Sequence, residues 1–131
     1  IALKADGVHL GQDDLPCTEA RRLLRKNAII GLSTHSPEQA LAAVRLPIDY
    51  IAVGPIFSTT TKENPDAEVG LEGLSGTRSL VGGFPLVAIG GITRLNIASV
   101  LAAGADSAAV ISDLISHADA ITERMRILLR S

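Results

Sequence analysis

The sequence predicts an α/β fold built on a parallel sheet, and three observations carry that expectation. Short, continuously apolar segments recur along the 131 residues, each followed by a stretch with helical periodicity. These segments start at positions 6, 28, 49, 85 and 106, at intervals of 22, 21, 36 and 21 residues. An interval of that size holds one strand and one helix. Three of the segments open on aspartate, in Ala5-Asp6-Gly7, Ile48-Asp49-Tyr50 and Ala105-Asp106-Ser107, a weak internal repeat of one βα unit. Strands that are apolar throughout and joined by helices belong to a parallel sheet covered on its faces or closed into a barrel.

Each element has its own local signals. The strands are Asp6-Gly7-Val8-His9-Leu10, Ala28-Ile29-Ile30-Gly31-Leu32, Asp49-Tyr50-Ile51-Ala52-Val53, Pro85-Leu86-Val87-Ala88-Ile89 and Asp106-Ser107-Ala108-Ala109-Val110. Pro16 and Cys17 open the first helix, which runs through Leu23 and Leu24. Ser36-Pro37-Glu38-Gln39 supplies an N-cap, a proline at the first helical position and a glutamine placed for a capping box. Thr93 is expected to cap the helix that packs Leu95, Ala98, Leu101 and Ala102, and Gly104 to end it in a left-handed conformation. The last helix is expected from about Ala118 to Leu129. The third interval is about fifteen residues too long, and the excess lies at 55–70; loops of that length in compact domains are usually functional.

Composition narrows the classes of function. Twelve Lys and Arg against fourteen Asp and Glu give a formal charge of −2, with no basic block for nucleic acid or an acidic membrane. Tyr50, Phe57 and Phe84 are the aromatic residues, too few for a base-stacking platform. No apolar run approaches the ~20 residues that span a bilayer. One cysteine, Cys17, excludes an internal disulfide and reads as a small helix residue. The expectation is a cytoplasmic domain acting on small molecules, with no nucleic acid and no membrane partner. Because the first residue is Ile1, the chain is also expected to be the later part of a longer one.

In parallel α/β folds chemistry gathers where strands end and helices begin. Those ends hold Gly11-Gln12-Asp13-Asp14, Ser33-Thr34-His35-Ser36, Gly54-Pro55 with a threonine-lysine run, Gly90-Gly91-Ile92-Thr93 and Ile111-Ser112-Asp113. The Gly pair either lets backbone N–H groups approach an anion at a helix start, with Ser112 adding a donor, or forms a tight turn. Asp13 and Asp14 are candidate ligands for Mg²⁺, or a helix cap and a solvated charge. Lys62 offers a point charge for phosphate or is simply solvated. His9 reads as a packed or hydrogen-bonded core histidine within its strand and His35 as a residue that orients its loop. The aspartates that open strands sit at the opposite end, where a stabilising role is expected.

Five segments, taken in order, resemble the thiamine phosphate synthase family: Ala5-Asp6-Gly7-Val8-His9-Leu10-Gly11-Gln12-Asp13-Asp14-Leu15-Pro16, Ile30-Gly31-Leu32-Ser33-Thr34-His35, Gly54-Pro55-Ile56-Phe57-Ser58-Thr59-Thr60-Thr61-Lys62, Ala88-Ile89-Gly90-Gly91-Ile92 and Ala103-Gly104-Ala105-Asp106. The resemblance covers essentially the whole chain. It implies an α/β fold of the (β/α)8 TIM-barrel type, of which residues 1–131 form one partial domain carrying strands four to eight. It also implies a transferase that joins hydroxymethylpyrimidine diphosphate to thiazole phosphate, releasing pyrophosphate by a dissociative route assisted by Mg²⁺. Asp14 then corresponds to a Mg²⁺ ligand. Ser33 and Lys62 correspond to catalytic contacts with the pyrimidine diphosphate, and Thr59, Thr60, Thr61, Gly91, Ile111 and Ser112 to the thiazole-phosphate site.

A full barrel takes at least ~200 residues. The resemblance therefore implies three further βα units, on an N-terminal segment or on another chain of an oligomer, and little synthase activity without them. The alternatives are a thiazole tautomerase-like relative or a non-catalytic phosphate-binding remnant of the same barrel. Pro55, where such tautomerases tend to carry histidine, and the Thr-Thr-Thr-Lys run favour the synthase. A flavodoxin-like receiver domain would suit the length, but it needs an aspartate at the end of the third strand, where Val53-Gly54-Pro55 stands.

Overall fold

The computed structural model describes residues 5–59, 66–116 and 118–130. Strand β1 (Gly7–Leu10) leads to α1 (Cys17–Leu23), β2 (Ile29–Thr34) to α2 (Pro37–Ala43) and β3 (Tyr50–Val53) to α3 (Gly70–Val81). Strand β4 (Leu86–Ile89) precedes α4 (Ile97–Ala102), and β5 (Ser107–Ala109) precedes α5 (Ser112–Ile115). A 3₁₀ turn at Ala118–Ala120 then enters α6 (Ile121–Leu128). Every strand begins one residue after the position expected from the sequence. The sheet is parallel throughout, in the order β1-β2-β3-β4-β5.

That order decides which side is buried. Parallel strands in sequence, each joined by a right-handed crossover, carry their helices on one face. Ile30, Leu32, Thr34, Ile51, Val53, Leu86 and Ala88 point to that face and are buried against helix residues such as Ala40, Leu74 and Val100. Buried polar atoms there are satisfied, as where Thr34 Oγ1 donates to Ala52 O at 3.1 Å. The alternate residues point the other way, and His9 and Ser107 are exposed there; His9 is hydrogen-bonded but is not the core histidine expected, because its side chain leaves the sheet on the face without helices. Ile29 is 50% exposed. Parallel sheets are normally covered on both faces; among the described residues this one carries helices on one. Among the described residues no helix is long and apolar enough to cross a membrane.

The strand-opening aspartates form one clamp, used twice. Asp49 Oδ2 accepts from Ile30 N at 2.7 Å and from Arg21 Nη2 at 2.6 Å. Arg21 also donates to Ala28 O and Pro47 O. Asp106 Oδ2 accepts from Leu86 N at 2.8 Å and from Arg78 Nη2 at 2.6 Å, while Arg78 donates to Phe84 O and Gly104 O. The spacing from arginine to aspartate is 28 residues both times, and these partners occupy equivalent positions, with Arg78 adding a bond to Gly82 O. A weak repeat in the sequence is thus a repeat of bonds. Asp6, 96% exposed, faces Arg25 at 3.7 Å, a looser pair than either clamp.

Helix starts follow the sequence with two differences. Ser36 Oγ accepts from Gln39 N at 3.2 Å as expected, but Gln39 Oε1 reaches back to His35 N rather than to the cap residue. Helix α4 starts at Ile97, not at Thr93. Asn96 Oδ1 accepts from Thr93 N at 2.8 Å, and Asn96 Nδ2 donates to Gly91 O, so residues 93–96 close a separate turn before the helix. The rotation leaves Leu95 86% exposed and turns Ile97 and Val100 inward. Gly104, at φ 110°, follows the C-cap Ala103 as expected.

Removing either clamp tests its role. The backbone N–H donors at Ile30 and Leu86, then the paired arginines, hold the Asp49 and Asp106 carboxyls below their ordinary value of 3.8. A depressed carboxyl stabilises the fold fully above the ordinary value, and that share is lost as pH falls through the lowered one. Asp49→Ala and Asp106→Ala are each expected to cost about 1–2 kcal/mol near neutral pH, since partial exposure screens the pairs. In urea unfolding between about pH 6 and about pH 2, the double variant should lose less stability on acidification than the native chain. Parallel pH profiles would refute the clamp.

Candidate functional site

The carboxyl ends of β1 to β4 open into two adjoining cavities. One, of about 360 Å³, is lined by Gly11, Gln12, Asp13, Asp14 and Gln39, and shares Ser33, His35 and Asp66 with the other. The second, of about 310 Å³, continues over Ala52, Pro55, Thr59, Ile89 and Gly90. The first is bordered by carboxylates and amides, the second largely by backbone and apolar side chains. Their volumes lie at the small-ligand end of the range for binding sites.

Each wall is fixed by local bonding. Asp14 Oδ2 accepts from Gly11 N at 2.6 Å, closing the turn after β1, so this carboxylate does not cap α1, whose N-cap is Pro16. Gln12 Nε2 donates to Ser33 O at 2.5 Å and ties that turn to the end of β2. His35 Nδ1 lies 2.6 Å from Gly54 O and must carry the proton there, while Nε2 lies 3.5 Å from Asp66 Oδ2. The imidazole thus joins the ends of β2 and β3, the loop-orienting role expected for it.

The loops after β3 and β4 are laced together. Ile56 N donates to Ile89 O at 2.9 Å and Phe57 N to Gly90 O at 3.1 Å. The Gly54–Pro55 peptide is cis. Gly91 has φ 65°, and a Cβ there would stand 2.7 Å from Phe57 Cβ and 2.8 Å from Phe57 O. Glycine is required for both reasons. The described ends of the 55–70 loop also meet, because Val69 N donates to Pro55 O at 2.8 Å and Ser58 N to Glu68 Oε1.

Of the residues expected in the site, Asp14, Ser33 and Thr59 border the cavities. Gly91 follows Gly90, which lines the second cavity, but is not itself in either lining, and the turn at 93–96 lies between it and α4. Ile111, 48% exposed, and Ser112 lie at the end of β5, outside both cavities. Asp113 links that end to the β4 loop: its Oδ1 accepts from Arg94 Nη1 at 2.6 Å and from Arg124 Nη1 at 3.0 Å. Thr60, Thr61 and Lys62 lie outside the described residues.

Three features went unread in the sequence. Asp113 with its two arginines leaves no local signal, because the partners are far apart in the chain. Asp66 lies across a loop whose path no pattern sets. Tyr50 is the single tyrosine, and its hydroxyl meets His9 Nδ1 at 2.8 Å while His9 Nε2 meets Ser33 Oγ at 2.8 Å. A lone tyrosine opening a strand beside a strand glycine was the available signal. Although the residue as a whole is exposed, partial desolvation of the imidazole lowers the His9 pKa below its ordinary 6.5, opposed by the charge on Asp14.

Comparison with known proteins gives concordant results. The family model described as thiamine monophosphate synthase matches residues 1–114. Over 126 residues the chain is 50% identical to the thiamine-phosphate synthase of Chloroflexus aurantiacus, covering 96% of this chain and 57% of that protein. It is 53% identical over 115 residues to the thiamine-phosphate synthase of Koribacter versatilis, covering 88% of this chain and 54% of that one. The solved thiamine phosphate pyrophosphorylase of Pyrococcus furiosus superposes with a TM-score of 0.85 at 37% identity, over 98% of this chain and 60% of that one. The chain therefore spans little more than half the length of these relatives.

The lacing of the two loops predicts a specific sensitivity. Gly91→Ala should cost about 2 kcal/mol or more, from the left-handed backbone and the collision with Phe57. Gly76→Ala, in α3 where a Cβ meets nothing within 4 Å, should be neutral or slightly stabilising. Urea midpoints of the two variants measure the contrast, and equal midpoints would refute it.

Proposed function

The chain belongs to the thiamine monophosphate synthase family, and on that premise we propose that it supplies five βα units of a (β/α)8 barrel that condenses hydroxymethylpyrimidine diphosphate with thiazole phosphate. The observation that carries the proposal is the pair of adjoining cavities at the carboxyl ends of the strands. Asp14 lines one, Thr59 and Gly90 line the other, and Ser33 lines both. A reaction that joins two small phosphorylated molecules needs two adjoining sites. The open sheet face supports the barrel, because closing the sheet with three more strands would turn Ile29 and His9 inward.

The two cavities suit different parts of the reaction. The polar one, with Asp13, Asp14, Gln12 and Gln39, suits a diphosphate. Hard oxygen donors in this number fit Mg²⁺, which takes one or two carboxylates and completes its shell from phosphate and water. Asp14, beside Asp13, would hold the ion, whose charge offsets that building on the departing pyrophosphate. Lys62 would add a second positive charge on the same oxygens. Ser33, at the junction, would hold the pyrimidine substrate, and the apolar wall of Ala52, Pro55 and Ile89 would keep water from the cation left behind. Thr59, Thr60, Thr61, Gly91, Ile111 and Ser112 would hold the thiazole phosphate so that its ring nitrogen captures that cation. No general base is needed. We place the protein in the cytoplasm, acting on small substrates without nucleic acid or membrane partners.

Two experiments test the proposal. The 131-residue chain alone should give little or no thiamine phosphate, and the intact protein with its three further βα units should give normal turnover; normal turnover by the short chain would refute the partial barrel. Asp14→Asn keeps an oxygen acceptor for Gly11 N–H but loses the charge. In the intact protein it should raise the Mg²⁺ concentration for half-maximal rate about tenfold or more while leaving the unfolding midpoint nearly unchanged. An unchanged Mg²⁺ dependence would remove Asp14 from the metal site.

A further inference from the structure

A hydrogen-bonded chain crosses the open face of the sheet and ends on Ser33. It runs from Tyr50 Oη to His9 Nδ1 at 2.8 Å and from His9 Nε2 to Ser33 Oγ at 2.8 Å. Its members come from three strands, β3, β1 and β2. The sheet register makes the crossing possible, because Gly31 stands opposite both His9 and Tyr50. A Cβ on Gly31 would fall 2.1 Å from Tyr50 Cζ and 2.5 Å from its hydroxyl oxygen. The phenol therefore lies over β2 in the space that glycine leaves, its ring centre 5.5 Å from that of the imidazole. The backbone of Ser33 is held separately by Gln12.

We propose that Tyr50 and His9 are positioning residues that fix the polarity of the Ser33 hydroxyl, making it a donor toward the pyrimidine diphosphate. This rests on the synthase reading above. A neutral imidazole has one nitrogen that donates and one that accepts, so the relay has two possible polarities. A phenol is far more acidic than an aliphatic alcohol and is the stronger donor. Tyr50 therefore donates to Nδ1, and Nε2–H donates to Ser33 Oγ. The remaining Ser33 proton points onward to the ligand. Phosphate oxygens and pyrimidine ring nitrogens both accept, so this polarity suits the substrate, and the reverse would set lone pairs of Ser33 against it.

Nitrogen-15 NMR of the intact protein labelled at histidine reads the polarity directly. The expected result is a protonated Nε2 and an unprotonated Nδ1 on His9, with that preference lost in Tyr50→Phe. Kinetically, Tyr50→Phe should raise the KM for the pyrimidine diphosphate about tenfold and leave that for thiazole phosphate within about twofold. On a Ser33→Ala background Tyr50→Phe should change neither KM further. His9 protonated on Nδ1 would overturn the relay, as would an equal effect of Tyr50→Phe with and without Ser33. Should the intact protein make no thiamine phosphate, the synthase reading fails, and the tautomer still decides the relay.

Discussion

Five parallel strands taken in sequence order, each returned by a right-handed helix, leave the molecule little choice. The helices gather on one side, the carboxyl ends of the strands lie together, and among the described residues no helix covers the opposite face, where His9, Ile29 and Ser107 are exposed. The rest of the structure depends on this arrangement. The core forms between helix and sheet, around Ile30, Ile51, Leu74, Leu86 and Val100. The polar relay of Tyr50, His9 and Ser33 lies on the bare face, and the two cavities open where the strands end.

The two ends of the sheet do different work. At the amino end Asp49 and Asp106 each bind a neighbouring strand and an arginine from a preceding helix. Those bonds tie neighbouring strands together, and neither aspartate lines the two cavities at the carboxyl ends. At the carboxyl end the same sort of bonding joins loops instead, through His35 to Gly54, Asn96 to Gly91 and Asp113 to Arg94. Asp6 sits at the position of the two clamping aspartates, on an edge strand with no strand before it among the described residues.

Strand positions were legible because an apolar run between turn residues has few other uses, and every strand began within one residue of its expected place. The clamping aspartates were legible because the same residue opened three strands. The start of α4 was not, since Thr93 is a good cap and nothing in its own stretch shows that Asn96 will close a turn first. The place of Asp14 and Ser33 at strand ends was legible, and both border the cavities there, whereas the relay was not, because it depends on a glycine leaving space between residues 41 positions apart. Contacts of that span are set by sheet register, which local sequence patterns do not encode.

The central claim is that the bare face is the inside of a barrel. A crystal structure of the intact protein tests it most directly. The account predicts that β1 and β5 each gain a parallel neighbour and that His9, Ser33 and Tyr50 line a closed interior. A second layer of helices packed over Ile29 and His9, with β1 or β5 left as a free edge, would contradict it.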